Sequence, residues 1–310
     1  MERTFWDRFN DYGCINKNDV DDIFELGHYT KYPEAVFNIT QGCFWATDIP
    51  DFNDGLEGVY ILKRINELLK NMVDAKLLSE EQKGYVEKYI GSDEKINQYI
   101  SDHVTSIVSL CRNLDSEYMW ENYAGENGYC IQFNKEELLK SMYFRCKNGV
   151  SHDENYIKHA PIVYDSKEQV SIISKEVKEM LLVKDDTLIE EYTIEYIIRH
   201  LMYVGNYYKK HSASDTDAPY ENEEEYRVLI NTSVPGDGNI SDDVLPEHKM
   251  NENNRKHYVE LFFDPKSIKQ IICRTQEAKD KISDQVRDIK LVVRSIKGSD
   301  PINHVADDGH

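Results

Sequence analysis

A glutamate that opens an apolar strand can hold a carboxylate firmly against a cleft, because the sheet fixes its backbone. Glu225 has that setting. It directly precedes Tyr226-Arg227-Val228-Leu229-Ile230, a run with strand character, and Glu223 stands two residues before it. His28, within Leu26-Gly27-His28-Tyr29-Thr30, places an imidazole in a second short apolar-leaning strand. Gly42-Cys43-Phe44-Trp45-Ala46-Thr47 adds ring faces, and Trp120 and Tyr123 lie three apart on a short predicted helix. The Lys209-Lys210-His211 cluster follows Tyr207 and Tyr208. Cations and ring faces together can hold single-stranded nucleic acid by stacking and phosphate contact.

Taken one at a time, each of these residues also has a plainer reading. His28 fits a satisfied strand-end histidine. Trp120, Tyr123, Tyr207 and Tyr208 fit core packing, and the lysines fit a solvated face. Glu221, Glu223 and Glu224 belong to an acidic run of the kind that usually forms a solvated loop.

The elements that must position these groups follow from periodicity. Strands are expected at residues 26–30, 42–47, 104–111, 129–133, 161–164, 225–230, 259–263, 268–273 and 289–293. Leu56, Tyr60, Ile61, Ile65, Leu68, Leu69 and Met72 repeat at helical spacing. Asp54 with Glu57, and Ser79 with Gln82, fit capping boxes. Two further helices are expected at 166–183 and 187–211, with an acidic loop at 215–224 and a long loop at 233–255. This reads as an N-terminal extension (1–25), one α+β domain (26–297) with a helical insertion near 166–211, and a tail (298–310).

Composition bounds the function. The 310 residues carry 37 Lys plus Arg against 57 Asp plus Glu, a formal charge of −20. That balance disfavours a dedicated duplex-DNA binder, whose affinity comes mostly from cations on phosphates. No apolar run approaches the roughly 18 residues of a membrane span, and the first residues lack the apolar stretch of a signal peptide. Six cysteines are scattered with no C-x-x-C pair, which reads as reduced thiols in a cytoplasm and gives no zinc site. The ten histidines show no ligand spacing, so no metal is expected. Phosphate-binding loops, dinucleotide fingerprints and H-E-x-x-H or G-x-S-x-G motifs are missing from the sequence.

His28-Tyr29-Thr30, Phe52-Asn53-Asp54-Gly55-Leu56-Glu57, Met119-Trp120-Glu121-Asn122-Tyr123-Ala124, Gly128-Tyr129-Cys130-Ile131-Gln132-Phe133 and Glu223-Glu224-Glu225-Tyr226-Arg227 together resemble a bacterial family of uncharacterised domains. More distantly, the series resembles the ADP-ribosyltransferase fold, with its split antiparallel sheets and peripheral helices. The resemblance implies NAD as co-substrate and no metal. It makes Glu225 the catalytic carboxylate, with Glu223 completing an E-x-E motif and orienting the acceptor. His28, Tyr29, Thr30, Phe44, Trp45 and Asn53 would hold NAD, with Phe44 where the family usually has Tyr. Trp120, Tyr123, Lys209, Lys210 and Arg227 would hold the acceptor. It further implies an intracellular toxin or antiphage effector modifying a macromolecule, RNA or DNA ahead of protein, and a neutralising antitoxin. An NAD glycohydrolase and a non-enzymatic binding module on the same fold are the alternatives.

Overall fold

Alternating burial along the strands and three-to-four spacing along the helices divide the chain into a sheet body and a helical lobe. The computed structural model describes residues 23–52, 57–74, 78–152, 156–182, 190–209, 220–231, 245–252 and 255–294. In chain order the first elements are β1 (Glu25–Thr30), α1 (Pro33–Thr40), β2 (Cys43–Asp48), α2 (Glu57–Asp74), α3 (Glu80–Ile90) and α4 (Asp93–Asp102). Next come β3 (Thr105–Cys111), the short α5 (Glu117–Met119), β4 (Tyr129–Asn134), α6 (Lys135–Ser141), β5 (Tyr143–Cys146) and β6 (Gly149–Ser151). The remainder holds β7 (Ile157–Pro161), α7 (Ser166–Leu182), α8 (Glu190–Gly205) and β8 (Glu225–Asn231). It closes with β9 (His248–Met250), β10 (His257–Phe262), β11 (Ile268–Cys273), α9 (Gln276–Ser283) and β12 (Leu291–Val293).

The protein is α+β, with one twelve-stranded, mostly antiparallel sheet and several helices. Among the described residues all the strands join this one sheet, and β3 carries a gap along one edge. There β1 pairs only at Gly27–Cys111 and β2 only at Thr47–Ile107 and Asp48–Ser106. The edge of residues 108–110 between them is left open. On its other edge β3 pairs with β8 from Thr105–Asn231 to Cys111–Glu225.

Two large cores flank this junction. Leu62, Ile65 and Leu69 of α2 pack with Val86 and Ile90 of α3 and with Ile194, Ile197, Ile198 and Leu201 of α8. Ile173 and Val177 of α7 join the same core, so α7 and α8 pack with α2, α3 and α4. The reason is that the apolar stripes of α2 and α8 each need a partner, and each supplies the other's. The second core lies against the sheet, among Phe44, Phe133, Phe144, Val228 and Leu261.

Several local expectations are met and others shift. The Ser79–Gln82 capping box is formed. The strand expected at 161–164 lies earlier, at Ile157–Pro161, while Ile162 still donates to Glu225 O and Val163 bridges to Tyr208. The helix expected to reach 211 stops at Gly205. Asp54, residues 215–219 of the acidic loop and the tail lie outside the described residues, while Tyr220–Glu223 form a short 3₁₀ turn. No described helix is long and apolar enough to cross a membrane.

Candidate functional site

Divergence of β1 and β2 opens a cavity of about 320 Å³ at β3, lined among others by His28, Ser109, Tyr123, Lys209, Glu223 and Glu225. The open strand edge explains the placement of His28. The Ser109 carbonyl there has no strand partner, and His28 Nδ1 lies 3.2 Å from it. A carbonyl only accepts, so Nδ1 carries the proton, and in the neutral ring Nε2 is left as an acceptor. Burial lowers the His28 pKa, which outweighs the backbone hydrogen bond and keeps the ring neutral.

Opposite it, Glu225 begins β8 and is 4 % exposed. Its backbone is fixed on both sides: its N–H donates to Tyr164 Oη at 3.1 Å, and its carbonyl accepts from Ile162. Its Oε1 accepts from Ser109 Oγ at 2.6 Å and from Arg227 Nε at 2.7 Å. Oε2 has longer contacts, 3.1 Å to Arg227 and 3.5 Å to Lys209 Nζ. Arg227, two residues on along the strand, is itself buried and donates to Asn206 O. Burial alone pushes the Glu225 carboxyl up. The Arg227 and Lys209 cations, with hydrogen bonds from Arg227 and Ser109, outweigh it and hold the pKa at about 2.

Glu223 behaves oppositely. Burial pushes its pKa up despite Lys209 Nζ at 2.7 Å, and Tyr123 Oη donates to its other oxygen at 2.5 Å. Lys209 thus bridges both carboxylates. It is delivered by the segment after α8, which runs beside Val163 and is pinned there by Gln169. Between the acids, Glu224 sits at φ +44°, a left-handed conformation uncommon outside glycine. Asn113 Nδ2 donates to its side chain, and Arg112 N donates to its carbonyl. These contacts hold a strained residue at the point where the chain turns into β8.

Seven of the site residues expected from the sequence line this cavity: His28, Tyr29, Tyr123, Lys209, Glu223, Glu225 and Arg227. Others do not. Phe44 is 2 % exposed, stacked on Phe263 and edge-on to His28, so it belongs to the core and touches the site only through that imidazole. Strand alternation then turns Trp45 to the opposite face, away from the cavity. Thr30 is buried at the far end of β1, where its hydroxyl accepts from Tyr32 N. Trp120 is fully buried behind Tyr29, with Nε1 donating to Asp115. Tyr207 and Tyr208 are core residues at 1 % exposure. Lys209 and Arg227 are sequestered by carboxylates rather than presented to an acceptor. Asn53 and Lys210 lie outside the described residues.

Ser109, Tyr164 and Lys256 were missed. Ser109 is the one exposed residue of its strand, but in the sequence nothing sets it apart from the buried Thr105 and Ser106.

The half-buried His159 sets an acid limit. His159 is pushed down to about 4, chiefly by burial and then by the Lys135 charge. Its folded value lies below the unfolded 6.5, so the unfolded chain binds more protons between them and stability falls as pH drops through that window. Linkage puts the loss between pH 7 and pH 5 at about 2 kcal/mol for this residue. Glu225 adds the same sign lower down, from 4.5 towards about 2. Glu223, raised in the fold, has the opposite sign and opposes the trend as its proton leaves. Urea midpoints should therefore be lower at pH 5 than at pH 7, and His159→Gln should shrink the gap; equal gaps would contradict this assignment.

With the geometry in place, the class is a mixed α+β protein with an ion-paired carboxylate cavity at a strand split. Over residues 119–228 the chain matches a family model described as a protein of unknown function (DUF2971). That stretch includes Tyr123, Lys209, Glu223, Glu225 and Arg227 and leaves out His28. No curated protein and no solved structure matches the chain.

Proposed function

We propose that the chain is an NAD-dependent ADP-ribosyltransferase that passes ADP-ribose to a macromolecule, nucleic acid ahead of protein. The observation that carries this reading is an ionised Glu225 in the same cavity as a neutral His28. Breaking the nicotinamide–ribose bond develops positive charge on the ribose, as in glycoside cleavage, and a fixed carboxylate stabilises it. Oε2 of Glu225, with the longer contacts, is the oxygen that would take a ribose hydroxyl. Nε2 of His28 would accept from the second ribose. Tyr29 supplies a ring face. An intracellular toxin or defence role, and a neutralising partner protein, belong to this proposal by analogy of fold.

The second reading is an NAD glycohydrolase. It is favoured by Glu223, which is 3 % exposed and already engaged by Tyr123 and Lys209, leaving water as the simpler acceptor. The burial of Phe44 favours the third, a binding module without turnover. Incubating the protein with NAD labelled on the adenosine half separates the three. Label retained on RNA, DNA or protein is expected. Free ADP-ribose alone would favour hydrolysis, and unchanged NAD would remove both enzymatic readings.

A further inference from the structure

The cavity has two walls of different construction. His28, Ser109, Glu225 and Arg227 stand on β1, β3 and β8, where ladder hydrogen bonds fix the backbone. Met119 and Tyr123 line it from a segment made of α5 and a π-type turn, Trp120–Ala124. A helical segment this short is not stable on its own, so the wall it makes depends on what ties it down.

The ties come from two arginines more than 140 residues further along the chain. Cys273 and Val293 are partners across the β11–β12 pair, so Arg274 and Arg294 leave these strands side by side. Arg294 N donates to Cys273 O, and Arg274 N donates to Gly128 O, which fixes both backbones. Arg294 grips the start of the segment. Its Nε donates to Asp115 at 2.6 Å, its Nη2 donates to Glu117 at 2.6 Å, and its guanidinium lies over the Trp120 ring at 5.2 Å. The same Asp115 oxygen accepts from Trp120 Nε1. Arg274 holds the other end, donating to the carbonyls of Trp120 and Gly125 at 2.9 Å each. Exposed ion pairs usually contribute little. Arg294 differs, because its side chain is 8 % exposed and its planar fork makes two hydrogen bonds and a ring contact at once, a geometry lysine does not offer.

Through this segment the arginines reach the groups that would meet a substrate. Trp120 packs edge-on to Tyr29, a cavity-lining ring, at 5.2 Å, and Tyr123 carries the hydroxyl that holds Glu223. Glu225 and His28 are held instead from the strand wall, by Arg227 and Ser109. We propose that Arg294, together with Arg274, is a positioning residue that sets the wall closing on the substrate and leaves the charge-stabilising wall alone. The kinetic half of this proposal rests on the NAD reading of the cavity. Loss of the clamp then weakens binding of NAD without touching the group that acts on developing charge.

The test is Arg294→Met in the full chain, read by NAD kinetics and by hydrogen exchange. KM for NAD should rise roughly tenfold while kcat stays within about twofold, the pattern of lost uniform binding. Exchange should quicken in peptides covering residues 115–125 and stay unchanged in those covering β8. Glu117→Ala removes one anchor of the same fork from a side chain 59 % exposed, so it leaves no buried void. It should raise KM in the same direction, and the double variant should lose less than the product of the two single effects, because both act on one contact. An unchanged KM in Arg294→Met, or a kcat that falls as far as KM rises, would overturn the proposal. If Arg294→Met melts early, Glu117→Ala carries the test, and a native KM there overturns it equally. Should the native chain leave NAD intact, the NAD reading falls and exchange alone decides: quickening confined to residues 115–125 supports the positioning role, and no change there removes it.

Discussion

Glu225→Gln is expected to cut NAD consumption by at least about a hundredfold, the usual consequence of removing one preorganised charge-stabilising group. The substitution keeps the side chain's length and leaves an oxygen for Ser109 and Arg227, so the cavity keeps its shape. What disappears is the negative charge that burial opposes and two cations maintain at neutral pH. The loss should appear in the rate at saturating NAD, because the charge matters most where positive charge develops on the ribose. It is measured by following NAD disappearance with circular dichroism on the same sample to confirm the fold. Turnover within a few-fold of the native chain would remove Glu225 from the chemistry.

The second large effect is on stability. Arg227→Met replaces a 2 % exposed guanidinium that makes two hydrogen bonds to Glu225 and one to Asn206 O. The methionine stem fills much of the same volume, so packing loss is small. The carboxylate, however, keeps only Ser109 and Lys209, and Lys209 is shared with Glu223. Breaking one partner from a buried ion pair typically costs about 3–5 kcal/mol, because the survivor's charge is left undercompensated. Urea denaturation at pH 7 should show a fall of that order. Pairing the change with Glu225→Gln should recover part of it, since the double variant removes both charges; simple additivity of the two losses would show that the pair is not coupled. The pH profile of the single variant adds a check, because without Arg227 the Glu225 carboxyl must rise from about 2.

Much of this site can be read in the sequence because it depends on local order. Glu225 at the head of an apolar run and His28 inside one are placed by strand periodicity alone, and both line the cavity. The capping box at Ser79 is legible for the same reason: its two halves are three residues apart. The partners that decide the chemistry are not local. Arg227 reads as a contact for an acceptor, yet it faces Glu225, because strand residues two apart share a face. Lys209 reads as part of an exposed basic patch. It is buried because the chain after α8 runs back beside Val163, a path set by tertiary packing. Phe44 and Trp45 are adjacent in sequence and fall on opposite faces, so which of them meets the cavity depends on the register of β2 with β10. Trp120 carries the composition of a stacking platform, but it is covered by Tyr29 and Arg294, both far from it along the chain.

Ser109 and Glu225 are separated by 116 positions along the chain, and their strands pair directly. During synthesis, therefore, the imidazole-bearing strand and β3 leave the ribosome well before the carboxylate that completes the site. The buried anions and their cations come together only when β8 docks, a long-range step of the kind that makes sheet proteins slow to fold. A nascent chain of this protein therefore has no ion-paired carboxylate cavity until β8 has been made and has docked on β3.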